Sequence, residues 1–591
     1  MALFSVLLFQ LEPRIAESNS IIIRCIDEEK EALLTFEQSP VDEYGALSSW
    51  GREDDKRNCC KWRGVCCNNT TSHFKVLNLR SSNDENARRK ILKGTISSAL
   101  LLCLNCMIYD IWTLVTINFG GIPVPEFVGS LSKLRYLNLS CGTPSIPHLQ
   151  DLSGLHFNLS TSIENLISVT TISLLLQYLS LPSTELEGGI PKFFGNSCSL
   201  NILRLPFNYL NGQLSELIQS LSGGCMVNSL ESLYLGANDL TGPIHDFGGF
   251  SSLKELRLRE NRLNGTINKS LSQLSKLESL SLGRNSFTGL TFSTLPSSSR
   301  NCSQLRALDL KKNAFFGEIP TWIGGSLQNL TVLSLKSNKF HGNIPYQLCN
   351  LRFIQVLDLS SNILSRKIPK CFYNFSAITQ ERSSNPTIGF GQYVVVHLGI
   401  AYEFSYLDTL QWTWKGSENE YENTLGLVKC LDLSNNKLCG AIPEEIMDVL
   451  GLIASNLSRN NLIGAIPPKI GQLKSLDFLD LSRNRFSGSI SSGLTQLSRL
   501  GVLDLSDNSS SGKISLGTQI QSFNPSVYAG NLELCGLPLQ NKCPDEESAP
   551  CPGIEDDANT PEDEDDQFIT LGFYMSLILG FCVGFWESVE L

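Results

Sequence analysis

The sequence predicts a solenoid of the α/β class, in which short repeats stack side by side and align their strands in parallel on a concave face. Three observations predict it. From Leu230 to Ile368 the pattern Leu-x-x-Leu-x-Leu-x-x-Asn-x-Leu/Phe-x-Gly recurs about every 24 residues. Asn208, Asn238, Asn261, Asn285, Asn313, Asn338 and Asn362 mark successive turns, and after an interruption Asn436, Asn460, Asn484 and Asn508 resume the same signal at 24-residue spacing. Within one repeat Leu233 and Leu235 alternate with Ser232, Tyr234 and Gly236, the period of a strand with leucines inward and the others outward. This is a leucine-rich repeat.

No single unit can bury its own apolar side, so Leu256 and Leu258 of the next repeat must continue the core begun by Leu233 and Leu235. The recurring Asn falls three positions after the second strand leucine. Buried there, its amide satisfies backbone groups of its own and the neighbouring coil, which a leucine could not do. Gly242, Gly265, Gly317 and Gly342 permit a tight turn, and Ile319-Pro320 and Ile344-Pro345 start an extended exit from it.

The chain has 591 residues, a length that a repeat array accommodates because its contacts are mainly between neighbours. A net charge of -11 disfavours a nucleic-acid partner. The 19 cysteines sit largely at boundaries of the array, which suggests disulfides in an oxidising compartment. Sequons at Asn68, Asn69, Asn138, Asn158, Asn264, Asn268, Asn301, Asn329, Asn374, Asn456 and Asn508 favour an extracellular, glycosylated chain. Asn456 is the doubtful one, because it lies in a predicted strand of the concave face.

Residues 1–24 hold a short apolar stretch without a basic start, read either as a weak leader or as a plain apolar N-terminus. Residues 25–72 form a cysteine-rich cap. Its Glu28 to Gln38 segment predicts a helix with Ala32, Leu33 and Phe36 on the core, joined by Trp50 and Trp62. We expect Cys25 to pair with Cys59 and Cys60 with Cys67, leaving Cys66 extra; zinc held by Cys59, Cys60, Cys66 and Cys67 is the weaker alternative. Residues 73–370 are repeats, ragged at first, with no clear repeat between Leu101 and Phe119. Cys198 with Cys225, and Cys349 with Cys371, are either bridges between adjacent coils or buried thiols.

Residues 371–430 interrupt the array with a segment rich in aromatics, among them Tyr402, Phe404, Trp412 and Trp414, which predicts a structured island over a flexible linker. Residues 431–515 return to four repeats, and 516–543 form a terminal cap with Cys535 and Cys543 spaced for a disulfide. An acidic spacer occupies 544–567. Residues 568–586 are nineteen uncharged, mostly apolar positions, long enough for one membrane helix, in which Gly580 and Gly584 make a helix contact possible. The tail of 587–591 leaves no room for a catalytic domain and carries no Lys or Arg, so a truncated secreted or retained product is the alternative to an anchored one.

With these segments in order, the chain resembles the plant leucine-rich-repeat receptor-like proteins of the immune-receptor type. CIDEEKEALLTFEQ, CCKWRGVCC, DLSNNKLCGAIPEEI, YAGNLELCGLPL and FYMSLILGFCVGFW carry the resemblance from Cys25 to Trp586. It implies an island before the last four repeats, an extracellular ligand-sensing role in defence or development, no kinase of its own and a transmembrane kinase partner. The ligand class is left open among peptide, protein and glycan.

Two surfaces are candidate binding sites. Arg257 and Arg259 share a strand face, and Arg284, Lys311, Lys312 and Lys336 take outward or adjacent turn positions in later repeats, a patch for an acidic ligand or merely a solubilising surface. In the island, Tyr402, Phe404, Trp412 and Trp414 either pack a partner or anchor the insertion. Catalysis is not expected: His73, His148, His156, His245, His341 and His397 are dispersed, and no cofactor or metal motif stands out. A secreted binding or inhibitor protein is the main alternative to a receptor.

Overall fold

A computed structural model describes residues 25–67, 176–290, 304–379 and 428–543 with short gaps, isolated strands between 74 and 158, and four strands between 392 and 421. The chain forms two units, Met1–Asn541 and Lys542–Leu591, and of the second only Lys542 and Cys543 are described. The predicted leader at 1–24, the acidic spacer and the apolar 568–586 segment with Gly580 and Gly584 lie outside the described residues. Among the described residues no helix is long and apolar enough to cross a membrane.

Each regular coil opens with a three-residue strand, such as Ser232–Tyr234, Glu255–Arg257 or Val356–Asp358. The middle leucine points inward and is buried, as at Leu233, Leu256, Leu333, Leu357 and Leu431. Neighbouring strands pair in register, Leu233 opposite Leu256 and Leu333 opposite Leu357, so each leucine continues the row begun by the last. Sixteen strands among the described residues make one sheet from Val65–Cys67 to Val502–Asp504, antiparallel only at its first pair. The raggedness of Leu101 to Phe119 hides a member of it: Ile111–Val115 pairs with Phe74–Asn78 and Tyr136–Ser140, with Trp112 at the register position of Leu77 and Leu137. A tryptophan standing where the repeat wants leucine masks the motif without breaking the strand.

The recurring asparagines fasten one coil to the next. Asn338 donates its amide to the carbonyls of Leu335 at 3.0 Å and Leu310 of the preceding coil at 3.0 Å, while its oxygen accepts from the backbone of Phe315 at 3.1 Å. Buried backbone groups left by the short strands are thereby paired. The row gains a rung that repeat spacing does not announce, Asn531, which binds Leu505 and Ser510 in the same manner inside the terminal cap. The residue before each asparagine turns left-handed, as at Ala237 (φ 53°) and Arg459 (φ 54°), while Gly242 (φ 87°) takes the later turn where no side chain is wanted.

A second sheet, unforeseen from the sequence, runs beside the first. Eight short strands from Phe316–Glu318 to Glu533–Cys535 occupy the x-Leu/Phe-x-Gly part of the repeats. On the far side of each coil, single turns such as Tyr346–Asn350 and Pro468–Gln472 complete the circuit.

At the N-terminal end a helix, Asp27–Glu37, lays Ala32, Leu33 and Phe36 on the end of the core. Trp50 and Trp62 stack at 5.2 Å between ring centres and are themselves buried. Cys25 is bonded to Cys59, Cys60 to Cys67, Cys198 to Cys225 and Cys349 to Cys371. Cys535 and Cys543 are also in disulfide form. Cys25, Cys59 and Cys60 lie close enough to suggest a metal, but all three sulfurs are held in disulfides and offer no thiolate, which removes the zinc alternative there.

The island contains two antiparallel hairpins, Gln392–His397 with Ile400–Ser405 and Leu410–Trp414 with Ser417–Tyr421. Tyr402 pairs with Val395, Phe404 with Tyr393, Trp412 with Asn419 and Trp414 with Ser417. The surroundings of those four aromatic side chains lie outside the described residues.

Candidate functional site

The outward residues of the strands make columns on the concave face. Because the pairing is in register, each column advances one strand at a time, about 4.8 Å per step. The register position between the two strand leucines runs through Asn78, Thr113, Asn138 and Ser180 to Arg204, Tyr234 and Arg257, and continues through Ser281, Asp309, Ser334, Asp358, Asp432, Asn456, Asp480 and Asp504. After an uncharged start the column is basic and aromatic from Arg204 to Arg257, and its later part is acidic.

In the early part the Tyr234 ring has the guanidinium carbon of Arg204 at 4.8 Å from its centre and that of Arg257 at 4.7 Å, one from each flanking strand. The hydroxyl of Tyr234 donates to the carboxylate of Glu255, which lies 3.7 Å from Arg257. Tyr234 and Glu255 are 5% and 3% exposed, so residues expected to face outward do so under cover of the arginines. Burial, then the charge of Glu278, lifts Glu255 to about 7 against the opposing pull of Arg257, Tyr234 and Arg204. Burial and the Glu255 charge also push Tyr234 well above the ordinary phenol range.

In the later part each acid binds the backbone two residues on. Asp358 accepts from the Ser360 amide at 3.0 Å and its hydroxyl at 2.6 Å, and Asp480 accepts from Ser482 at 3.0 and 2.7 Å. The recurring Leu-Asp-Leu-Ser is therefore a turn device before it is a charge. Asp358 and Asp432 sit side by side and buried, and burial raises both, with Asp358's charge adding to the effect on Asp432 and Lys336 opposing it.

The six basic candidates do not form one exposed patch. Lys311 is 3% exposed, its amide bound to Asp309, so its place is structural. Lys336 is half-buried and faces the buried acids. Arg284 and Lys312 occupy left-handed turns at the edge of the face, Arg284 lying 3.5 Å from Glu260. Arg257 ends its strand and Arg259 follows two residues on, both half-buried. Arg204, Tyr234 and Glu255 escape the charge pattern read from sequence; Arg204 and Tyr234 could have been found because, like Arg257, each stands between the two leucines of its own repeat, whereas Glu255 carries no such signal.

Among the sequons, Asn264, Asn329 and Asn374 are exposed. Asn508 is a correction: its amide nitrogen donates to Leu481, Leu505 and Ser506 at 3.0, 3.1 and 3.1 Å, so both of its hydrogens are already engaged. Asn456 is half-buried, with its oxygen accepting from Ser458. Asn68, Asn69, Asn268 and Asn301 lie outside the described residues, as do the side chains of Asn138 and Asn158.

Residues 26–68 match the leucine rich repeat N-terminal domain, and 252–274, 329–351, 353–375, 428–449 and 475–497 each match the Leucine Rich Repeat family. Receptor-like protein EIX2 of Solanum lycopersicum is 37% identical over 545 residues, covering 84% of this chain and 50% of EIX2. The chain belongs with the plant leucine-rich-repeat receptor-like proteins. Receptor-like protein EIX1 of the same plant is 51% identical over 292 residues, 48% of this chain and 28% of EIX1. This receptor-like protein thus spans half or less of the length of these two relatives. The crystal structure of a TDR receptor, 22% identical and superposing with a TM-score of 0.51 over 73% of this chain and 65% of that one, shares its fold.

Proposed function

We propose that this receptor-like protein is an extracellular recognition subunit that takes a microbial, peptide or cell-wall-related ligand on its concave face and signals in plant defence through a partner transmembrane receptor kinase. The observation that carries the proposal is the continuous in-register sheet, whose inward residues repeat while its outward ones change from Arg204 and Tyr234 to Asp480 and Asp504. A purely structural array has no need to vary that face, whereas a surface that reads an extended partner does. Disulfides in the cap and between coils suit an oxidising, extracellular setting. The kinase partner and the defence role follow from the resemblance, and 568–586 is the proposed membrane anchor, with Gly580 and Gly584 as its proposed contact.

Arg257 and Arg259 are the proposed contacts for an acidic ligand, and Tyr402, Phe404, Trp412 and Trp414 those of the island. Cross-linking at the surface of intact plant cells tests the proposal. Recovery of a receptor kinase together with a ligand, weakened by Arg257→Gln with Arg259→Gln, supports it. Stable release of the chain into the medium with no kinase partner favours a secreted binding or inhibitor protein instead.

A further inference from the structure

The second sheet, on the flank of the coils, carries cations that no neighbouring carboxylate answers. Strands Lys339–Gly342, Ile363–Arg366, Lys437–Gly440, Asn461–Gly464 and Arg485–Gly488 lie side by side in it. Lys339, Lys437 and Arg485 each follow the recurring asparagine of their coil and are exposed, as are Arg366 and Lys367 at the end of a strand between them. Among the described residues none of these cations forms an ion pair. Elsewhere they do: Arg262, at the same place in an earlier coil, pairs with Asp239 of the coil before it at 2.7 Å. On the far-side turns Lys370 lies 3.0 Å from Glu445 and Lys469 3.4 Å from Glu444. Before Lys339, Lys437 and Arg485 the place of Asp239 is held by Ala314, Ile363 and Asn461. From Phe316–Glu318 to Arg485–Gly488 only the first strand carries a carboxylate, Glu318, and it lies against Gly342.

Arg366 is the second observation. Four positions after the recurring asparagine stands glycine in every other coil from Asn208 to Asn508, but arginine after Asn362. The backbone there keeps the left-handed form that glycine takes, with φ 71°. A side chain held in that form costs stability, and here the side chain adds a cation to the row. Lys367 beside it lies along the next strand, its Cγ 3.1 Å from where a Cβ on Gly440 would sit.

We propose that Lys339, Arg366, Lys367, Lys437 and Arg485 form a band that binds a linear polyuronate, an anionic polysaccharide with one carboxylate on each ring. The band goes beyond the concave-face reading: it shares the extracellular setting of that reading but uses another sheet and another ligand. In a chain whose net charge is -11, a local excess of unanswered cations is complementary to a polyanion. Neighbouring strands stand about 4.8 Å apart, so the band from Lys339 to Arg485 runs about 19 Å across the sheet. Carboxylates meet ammonium and guanidinium groups there through charge-assisted hydrogen bonds, while exposed Ile363 and Ile463 can cover the apolar faces of sugar rings. A stiff polyuronate brings its carboxylates already in line, whereas an acidic peptide must give up backbone freedom to align them.

The test uses the whole chain and fluorescently labelled decagalacturonate, with its methyl-esterified form as the uncharged control and decaglutamate as an acidic-peptide probe. Binding is read by fluorescence polarisation at about 50 mM and about 300 mM salt, where screening separates charge from other contacts. Decagalacturonate should bind, and less tightly at the higher salt. Arg366→Gly should weaken it about fivefold, the share of one charge pair in water, while raising the melting temperature because glycine suits that turn. Lys437→Gln should weaken it by a similar factor. Lys469→Gln, whose ammonium is already paired, should leave it unchanged, as should Arg257→Gln with Arg259→Gln on the concave side. Equal binding of the esterified decamer, or affinity unchanged by both Arg366→Gly and Lys437→Gln, overturns the band and leaves concave-face recognition standing. Loss of binding in the Arg257 and Arg259 variant alone places the polyanion on the concave face and overturns the band as well. Decaglutamate bound as tightly as decagalacturonate assigns the band to acidic proteins and overturns the polyuronate.

Discussion

Asn436 donates its side-chain amide to the carbonyl of Leu359, 77 positions earlier in the chain, at 3.0 Å, and accepts from the amide of Leu364 at 3.0 Å. The same two bonds join repeats only 21 to 33 positions apart elsewhere, as from Asn261 to Leu240, Asn238 to Leu205 and Asn460 to Leu433. The island is therefore looped out of a solenoid whose repeats meet across it without a break. Strand Val356–Asp358 pairs directly with Cys430–Asp432, and the Gly451 amide bonds to the carbonyl of Ile378 at 2.9 Å on the other side of the coil.

Asn436→Ala should destabilise this junction by roughly 2 kcal/mol or more, because it orphans a buried carbonyl and a buried amide at once. Hydrogen exchange should localise the loss to the coils on either side of the island. Asn329→Ala, at an exposed sequon, should leave exchange there unchanged.

Replacing residues 380–427 with a short Gly/Ser linker should preserve the thermal unfolding of the array, since the coils on either side pair through their own backbones. Loss of the whole transition would show that the hairpins are part of the folding unit. Binding of a partner that needs the island should vanish in the same protein.

Glycopeptide mass spectrometry of the protein from plant cells should find sugar at Asn264, Asn329 or Asn374 and none at Asn508. Asn508→Gln should lower stability without changing the glycan mass, since its amide nitrogen already serves three carbonyls. A glycan at Asn508 would contradict the bonding described for the last repeats.

The Asp358 and Asp432 pair predicts a pH dependence of the central repeats. Both carboxyls are raised above their ordinary values by burial, so the folded state holds protons that the unfolded chain releases. Their contribution is present in full below the ordinary aspartate range of about 4 and is lost as pH climbs through the raised values, near 7 for Asp432. Exchange protection around these strands should decline from mild acid to mild base, and Asp432→Asn should flatten the decline.

Much of the solenoid was legible because its determinants are periodic. Leucine spacing located the strands, and the asparagine position announced a buried amide whose bonds the structure supplies at Asn338 and Asn436. The second sheet was hidden, because positions such as Phe316 and Lys339 pair through backbone atoms and carry no shared side-chain type. Trp112 concealed an early strand for the opposite reason, an unusual side chain on ordinary backbone. The candidate site was less legible. Counting charges joined Arg257 to Lys311, which is buried, and passed over Arg204, whose relation to Arg257 exists only once Tyr234 is set between them by register.

The most direct test of concave-face recognition places a photo-crosslinking amino acid at Arg259, just past the strand Glu255–Arg257, and, separately, at Lys469 on the exposed far side of its coil, in the protein on living plant cells. The account predicts ligand adducts from position 259 and none from 469. Ligand adducts from position 469 with none from 259 would contradict it.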